Sequence, residues 1–182
     1  SQEALLETLQ SDNGVLRDLA QQQLIERDDP TMLPELKRLA TEGTRPQTRL
    51  HALKILEHVE ALAGSTLLQA LSDPHSEVRR QAVELCRGRW QDEPDLRKAL
   101  GAIGEDSSAP VYVKLIGVLS DDESPSSLAT LADIANRHGD EPFVRDALLS
   151  IDDSLHPQLL ETLLSQPALN DHTGPLIGEL LL

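Results

Sequence analysis

The sequence predicts an all-α protein, an α-α superhelix of about five to six antiparallel helix pairs, because it reads as one helix–turn–helix unit repeated. Three observations lead there. Leu and Ala recur throughout while aromatic residues are only 2% of the chain, a composition suited to close helix–helix packing and poor for sheets. Apolar residues recur at helical spacing, as in Val78, Ala82 and Leu85. A basic residue followed by small or apolar ones returns at Arg17, Arg49, Arg79, Lys114 and Arg145, with separations of 32, 30, 35 and 31 residues.

The clearest unit runs from Leu67 to Leu85. A Leu-rich helix stops at Asp73-Pro74, since proline cannot continue a helix but can open the next. Weaker copies start at Asp12, ahead of Val15, Leu16, Arg17 and Ala20, and at Arg49, ahead of Ala52 and Leu53. Further copies place Lys114 before Gly117, and Asp140 before Val144, Arg145 and Leu148. The spacing predicts helix pairs Gln2–Gln10 with Gly14–Glu26, Met32–Thr41 with Gln47–Leu62, and Ser65–Ser72 with Ser76–Arg87. It continues with Asp95–Ile103 and Pro110–Leu119, Pro125–Arg137 and Glu141–Ile151, and Pro157–Leu164 with a partial Gly174–Leu182. Gly104–Pro110 and Asp121–Ser127, rich in Ser, Asp, Pro or Gly, read as turns, and the chain as one domain over 1–182. Asp near each turn can accept from the open N–H groups of the second helix, and an Arg one turn in can bond the Asp of its own or a neighbouring unit. Asp12, Arg17, Arg49, Asp73, Arg79, Lys114, Asp140 and Arg145 are therefore expected as a structural ladder, not as catalysts.

Charge excludes one large class of partner. With 31 acidic against 16 basic residues the formal charge is −15, the wrong sign for neutralising a phosphate backbone, so nucleic acid is not expected. The single cysteine, Cys86, excludes an intrachain disulfide or a cysteine zinc cluster. No stretch has the apolar length of a membrane span, so no direct membrane insertion is expected. The chain opens on Ser1 and enters a helical pattern at once, which reads as a piece of something longer. Its apolar end, Gly178-Glu179-Leu180-Leu181-Leu182, lacks the polar face that closes a repeat stack.

The repeat phrase resembles HEAT repeats, most closely over Leu67–Leu85. A narrower resemblance rests on Arg49-Leu50-His51-Ala52-Leu53-Lys54-Ile55-Leu56, then Leu67 to Pro74 and Glu77-Val78-Arg79, with Val15-Leu16-Arg17 and Gln22 to Arg27. Over roughly Leu16 to Arg87 the chain resembles the HEAT segment of large membrane-bound dehydrogenases of planctomycete- and verrucomicrobium-type bacteria. There the helical segment lies between a sugar-dehydrogenase-like propeller and a c-type cytochrome domain. The resemblance implies a spacer or docking module of a larger exported electron-transfer protein, hence an extracytoplasmic, periplasmic setting. Without it, a cytoplasmic one is the default. A Cys-x-x-Cys-His run for haem attachment cannot be built from one cysteine, so no cofactor is expected in this chain.

Catalytic constellations are not expected. His51 and His58 share one helix side at two turns' distance, too far for the usual i, i+3 or i+4 metal pair, and His51 is expected to pack under the next repeat. Cys86 falls near the buried stripe, where a thiol is inert, and Trp90 and Phe143 read as packing plugs. The leading functional reading is a non-catalytic scaffold whose partner is another protein or other domains of a parent chain. Second helices of a solenoid line its concave side. Lys54, Glu57, Glu84 and Arg87 are accordingly the candidate partner surface. The alternative is a HEAT-like lyase holding a tetrapyrrole chromophore. A third reading is weak self-association through apolar end repeats.

Overall fold

The computed structural model describes residues 1–165 and 171–181. Every regular element among them is helical, with no strand. Contacts divide the chain into two compact units, Ser1–Leu85 and Cys86–Leu182.

In the first unit α1 (Gln2–Thr8) starts at Ser1, whose hydroxyl accepts from the Ala4 N–H. Asn13 does the same for the Val15 N–H at the start of α2 (Gly14–Arg27). A 3-10 turn, Pro30–Met32, capped by Asp29, leads into α3 (Leu33–Glu42), and α4 spans Pro46–His58. Then come α5 (Gly64–Leu71) and α6 (Ser76–Leu85). Pro34 and Pro46 stand in first turns, where a missing N–H costs nothing because that group has no intrahelical partner. Helices α1 and α2, α3 and α4, and α5 and α6 pack as neighbours; α4 also contacts both α2 and α6, and α3 contacts α5. Leu9, Leu24, Leu36, Leu39, Leu53 and Leu67 are fully buried between them. Each such side chain contributes about 1.5–3 kcal/mol relative to exposure.

The second unit holds α7 (Pro94–Ile103), α8 (Ala109–Leu119), α9 (Pro125–His138) and α10 (Pro142–Leu149). A 3-10 turn at Asp153–Leu155 precedes α11 (His156–Ser165), and α12 covers Gly174–Leu180. Here too, helices two apart in the chain touch: α8 with α10, α10 with α12, and α9 with α11. The core is built on Trp90, Leu96, Leu115, Leu131, Ile134, Leu148 and Leu159.

Twelve α-helices among the described residues match the twelve expected, and most ends agree within two residues. Two departures have local causes. The expected helix to Leu62 stops at His58 because Glu60 turns left-handed (φ 54°), with the Ala61 N–H donating to Leu56 O and the Glu60 N–H to Glu57 O. That is the Schellman closure, here built on a glutamate where glycine is usual, so no glycine marked it in the sequence. The helix expected through Arg87 stops at Leu85, and the chain turns through Gly88 (φ 72°), with the Arg89 and Trp90 N–H groups both donating to Cys86 O. Leu182, expected to close α12, lies outside the described residues.

Candidate functional site

The recurring basic residues share one local geometry. Arg17, Arg49, Arg79 and Arg145 are each the fourth residue of a second helix, α2, α4, α6 and α10. In the first three the guanidinium reaches back across the first turn to the carbonyl six residues earlier, just past the end of the preceding helix. Arg17 Nη1 donates to Ser11 O at 2.7 Å, Arg49 Nη1 to Gly43 O at 2.6 Å, and Arg79 Nη1 to Asp73 O at 2.8 Å. A cation in a helix's first turn opposes the macrodipole by a few tenths of a kcal/mol. A charged hydrogen bond to a carbonyl with no helical partner, worth about 1.5–3 kcal/mol, outweighs that. The device pins the end of one helix to the start of the next.

Acidic partners appear chiefly between successive turns. Arg49 forks onto Asp73, Nε to Oδ2 at 2.6 Å and Nη2 to Oδ1 at 2.7 Å, and both residues are buried. Asp73 also accepts from the His75 N–H at 2.8 Å. Asp12 pairs with Arg45. In the second unit Arg137 donates to Glu105 at 2.9 Å, Arg145 lies 3.2 Å from Glu179, and Asp140 pairs with His172 at 2.9 Å. The His172 contact holds the Asp140 carboxyl below its ordinary range. These side chains tie the turn of one helix pair to the next pair.

Sequence reading missed two members of this set. Lys114 is the sixth residue of α8; the fourth is Tyr112, whose hydroxyl donates to Glu141 at 2.9–3.0 Å while its ring stacks on His138 at 4.3 Å. Burial, then the Glu141 carboxylate, push the Tyr112 phenol up to about 12. The raised value means the neutral phenol is favoured by folding, so its contribution is complete below the ordinary pKa of 10 and is lost as pH rises towards 12. Tyr112→Phe is expected to destabilise by about 1.5–3 kcal/mol at neutral pH. It should also remove that alkaline limb, as read from urea midpoints across the pH range. The other missed residue is Arg97, fourth in α7, which donates to Gln91 O at 2.5 Å. A rule of "fourth helical residue, long or aromatic, with a donor" would have found both.

Of the expected partner surface, Lys54 and Glu57 are exposed on α4 and Glu84 is half-buried on α6. Arg87 falls in the second unit, beyond the end of α6, and pairs with Asp121. His51 faces the preceding pair, not the next: its Nδ1 lies 2.6 Å from Gln21 Oε1 of α2, and burial lowers its pKa. Cys86 and Trp90 are buried, whereas Phe143, expected as a plug, is 76% exposed. Val15, Leu16 and Leu19 form another exposed apolar strip on α2. Between the first turns of α8 and α10 lies a groove of about 380 Å³ lined by Ala109, Pro110, Val113 and Phe143. Among the described residues no group of three or more His, Cys, Asp or Glu is placed to hold a metal, and no helix is long and apolar enough to cross a membrane.

The class defined by this geometry is an all-α protein of repeat-like helix pairs. No family model, curated protein or solved structure matches the chain.

Proposed function

We propose that the chain is a HEAT-like solenoid acting as a non-catalytic scaffold for protein–protein interaction or domain spacing, within a larger multidomain redox protein. The observation that carries the scaffold reading is the repeated turn device: an arginine at the fourth helical position bonded to the carbonyl six residues back, in three successive pairs. Such a device fixes helix pairs at constant geometry, which is what a repeat scaffold needs. Contacts between helices two apart support stacking of pairs. The polar residues that repeat most regularly are consumed in these turn contacts, which leaves exposed faces of second helices to meet a partner. The redox setting rests on the sequence resemblance over Leu16–Arg87.

A photo-crosslinking residue placed at Lys54, Glu57 or Phe143 of the full-length protein in its own cells tests the scaffold reading. Crosslinks to another domain or a defined protein at these positions, and not at Glu35 on the first-helix side, are expected. Equal or no crosslinking at all four positions would overturn it.

A further inference from the structure

We infer that the groove between α8 and α10 docks a basic amphipathic helix of a partner protein, an inference that rests on the interaction reading above and assigns it a site and a partner chemistry. The groove presents only apolar side chains, from Ala109, Pro110 and Val113 on α8 and Phe143 on α10. Phe143 is the most exposed of the chain's large hydrophobic side chains among the described residues, at 76%, in the second unit. An aromatic ring left in water beside an apolar groove is an anchor of the kind that dominates interface energetics. One turn further along α10, on the same face, Asp146 is exposed and makes no ion pair among the described residues. Four residues beyond Val113 on α8 stands Gly117, where an added Cβ would meet nothing nearer than Arg87 Nη2 at 4.0 Å. A bare helix surface of that sort lets another helix approach closely.

Charge selects the occupant. Between Cys86 and Leu182 there are 17 acidic and seven basic residues, a formal charge of −10 of the chain's −15. Of the nearby cations, Arg145 is taken by Glu179 and Arg87 by Asp121, while Lys114 is half-buried and engaged in interactions of its own. A second copy would bring the same negative charge to the same face and be repelled. A helix with an apolar stripe and a Lys or Arg one turn from its anchor would bury Phe143 and pair with Asp146. Its approach would be accelerated by the unit's field and slowed by salt.

The test is selection of peptides from a randomised phage-displayed library on the whole chain, then binding of the selected peptides to the protein and its variants. Apolar sequences carrying Lys or Arg are expected, with affinity falling as salt is raised. Phe143→Asp should weaken binding about tenfold or more, and Asp146→Lys should weaken it comparably. Because both side chains are exposed, unchanged thermal melts separate lost binding from lost fold. Acidic consensus sequences, no saturable binding, or binding indifferent to both variants but abolished by Leu19→Asp on α2 would overturn the groove assignment. The last result would leave the scaffold reading standing, since it moves the partner to another face. Dimerisation through the groove, seen by sedimentation and lost in Phe143→Asp, would overturn the assignment of a basic partner.

Discussion

Arg49→Ala is expected to destabilise the first unit by about 3–5 kcal/mol, the range for breaking one side of a buried ion pair. Arg49 and Asp73 are each 8% exposed, and their fork is bidentate. Removing Arg49 strands the Asp73 carboxylate and leaves Gly43 O without its 2.6 Å donor. The pair's net worth is smaller than the cost of breaking it, because both charges gave up hydration to meet. A paired replacement separates the two quantities. Arg49→Met with Asp73→Ser removes both charges, keeps much of the arginine stem's volume, and retains a hydroxyl able to accept from the His75 N–H in the turn. Its loss should be about 1–3 kcal/mol, set mainly by the orphaned Gly43 carbonyl. Urea denaturation followed by far-ultraviolet circular dichroism reads both, since the single tryptophan lies in the other unit. An Arg49→Ala loss below about 1 kcal/mol, typical of exposed pairs, would mean that water reaches the fork.

The same residues explain how far the sequence could be read. Helix starts were legible because Pro, Ser and Asn stand where first-turn N–H groups need no helical partner or a side-chain acceptor, as at Asn13, Pro46 and Ser124. The recurrence of arginine was legible, and so was an acidic partner in the neighbouring unit, as Arg49 finds in Asp73; the carbonyl partner was not. Sequence points to the nearest acid, whereas the guanidinium at the fourth helical position meets a carbonyl six residues back, and every residue has a carbonyl. Tyr112 was illegible for a related reason: a tyrosine reads as core until its hydroxyl is placed against Glu141. Phe143 misled in the opposite sense. It is the second residue of α10, and there its ring borders the groove beside α8 instead of entering the core, so an apolar side chain stays in water. The candidate groove followed from that one misplacement and could not have been read from periodicity. The break between the two units is marked in composition only by bulk trends: formal charge is −5 over Ser1–Leu85 and −10 over Cys86–Leu182, and Trp90, Tyr112 and Phe143 all lie in the second. It coincides with a turn whose only sequence mark is Gly88, at φ 72°.

Trp90→Ala is the second large effect, an expected loss of about 3–5 kcal/mol from the second unit. Trp90 is 2% exposed and is the largest of the fully buried side chains, so truncation leaves a cavity that the ends of rigid helices cannot close. The more informative variant is Trp90→Phe. Its smaller ring gives up part of the packing, on the order of 1–2 kcal/mol by comparison with other partial truncations. Against this, the indole Nε1–H is buried with no acceptor among the described residues, and an unpaired buried donor costs about 1–3 kcal/mol that phenylalanine does not incur. The Arg97 guanidinium, 5.7 Å above the ring, loses little, since it keeps its bond to Gln91 O and a phenyl face still attracts a cation. The opposing terms are of similar size, so Trp90→Phe should lie within about 1 kcal/mol of the parent while Trp90→Ala does not. Circular dichroism melts must decide it, because both variants remove the only tryptophan fluorophore. If phenylalanine costs as much as alanine, the indole N–H has an acceptor that outweighs its burial, and the Cys86–Asp92 turn is held by that bond and not by packing alone.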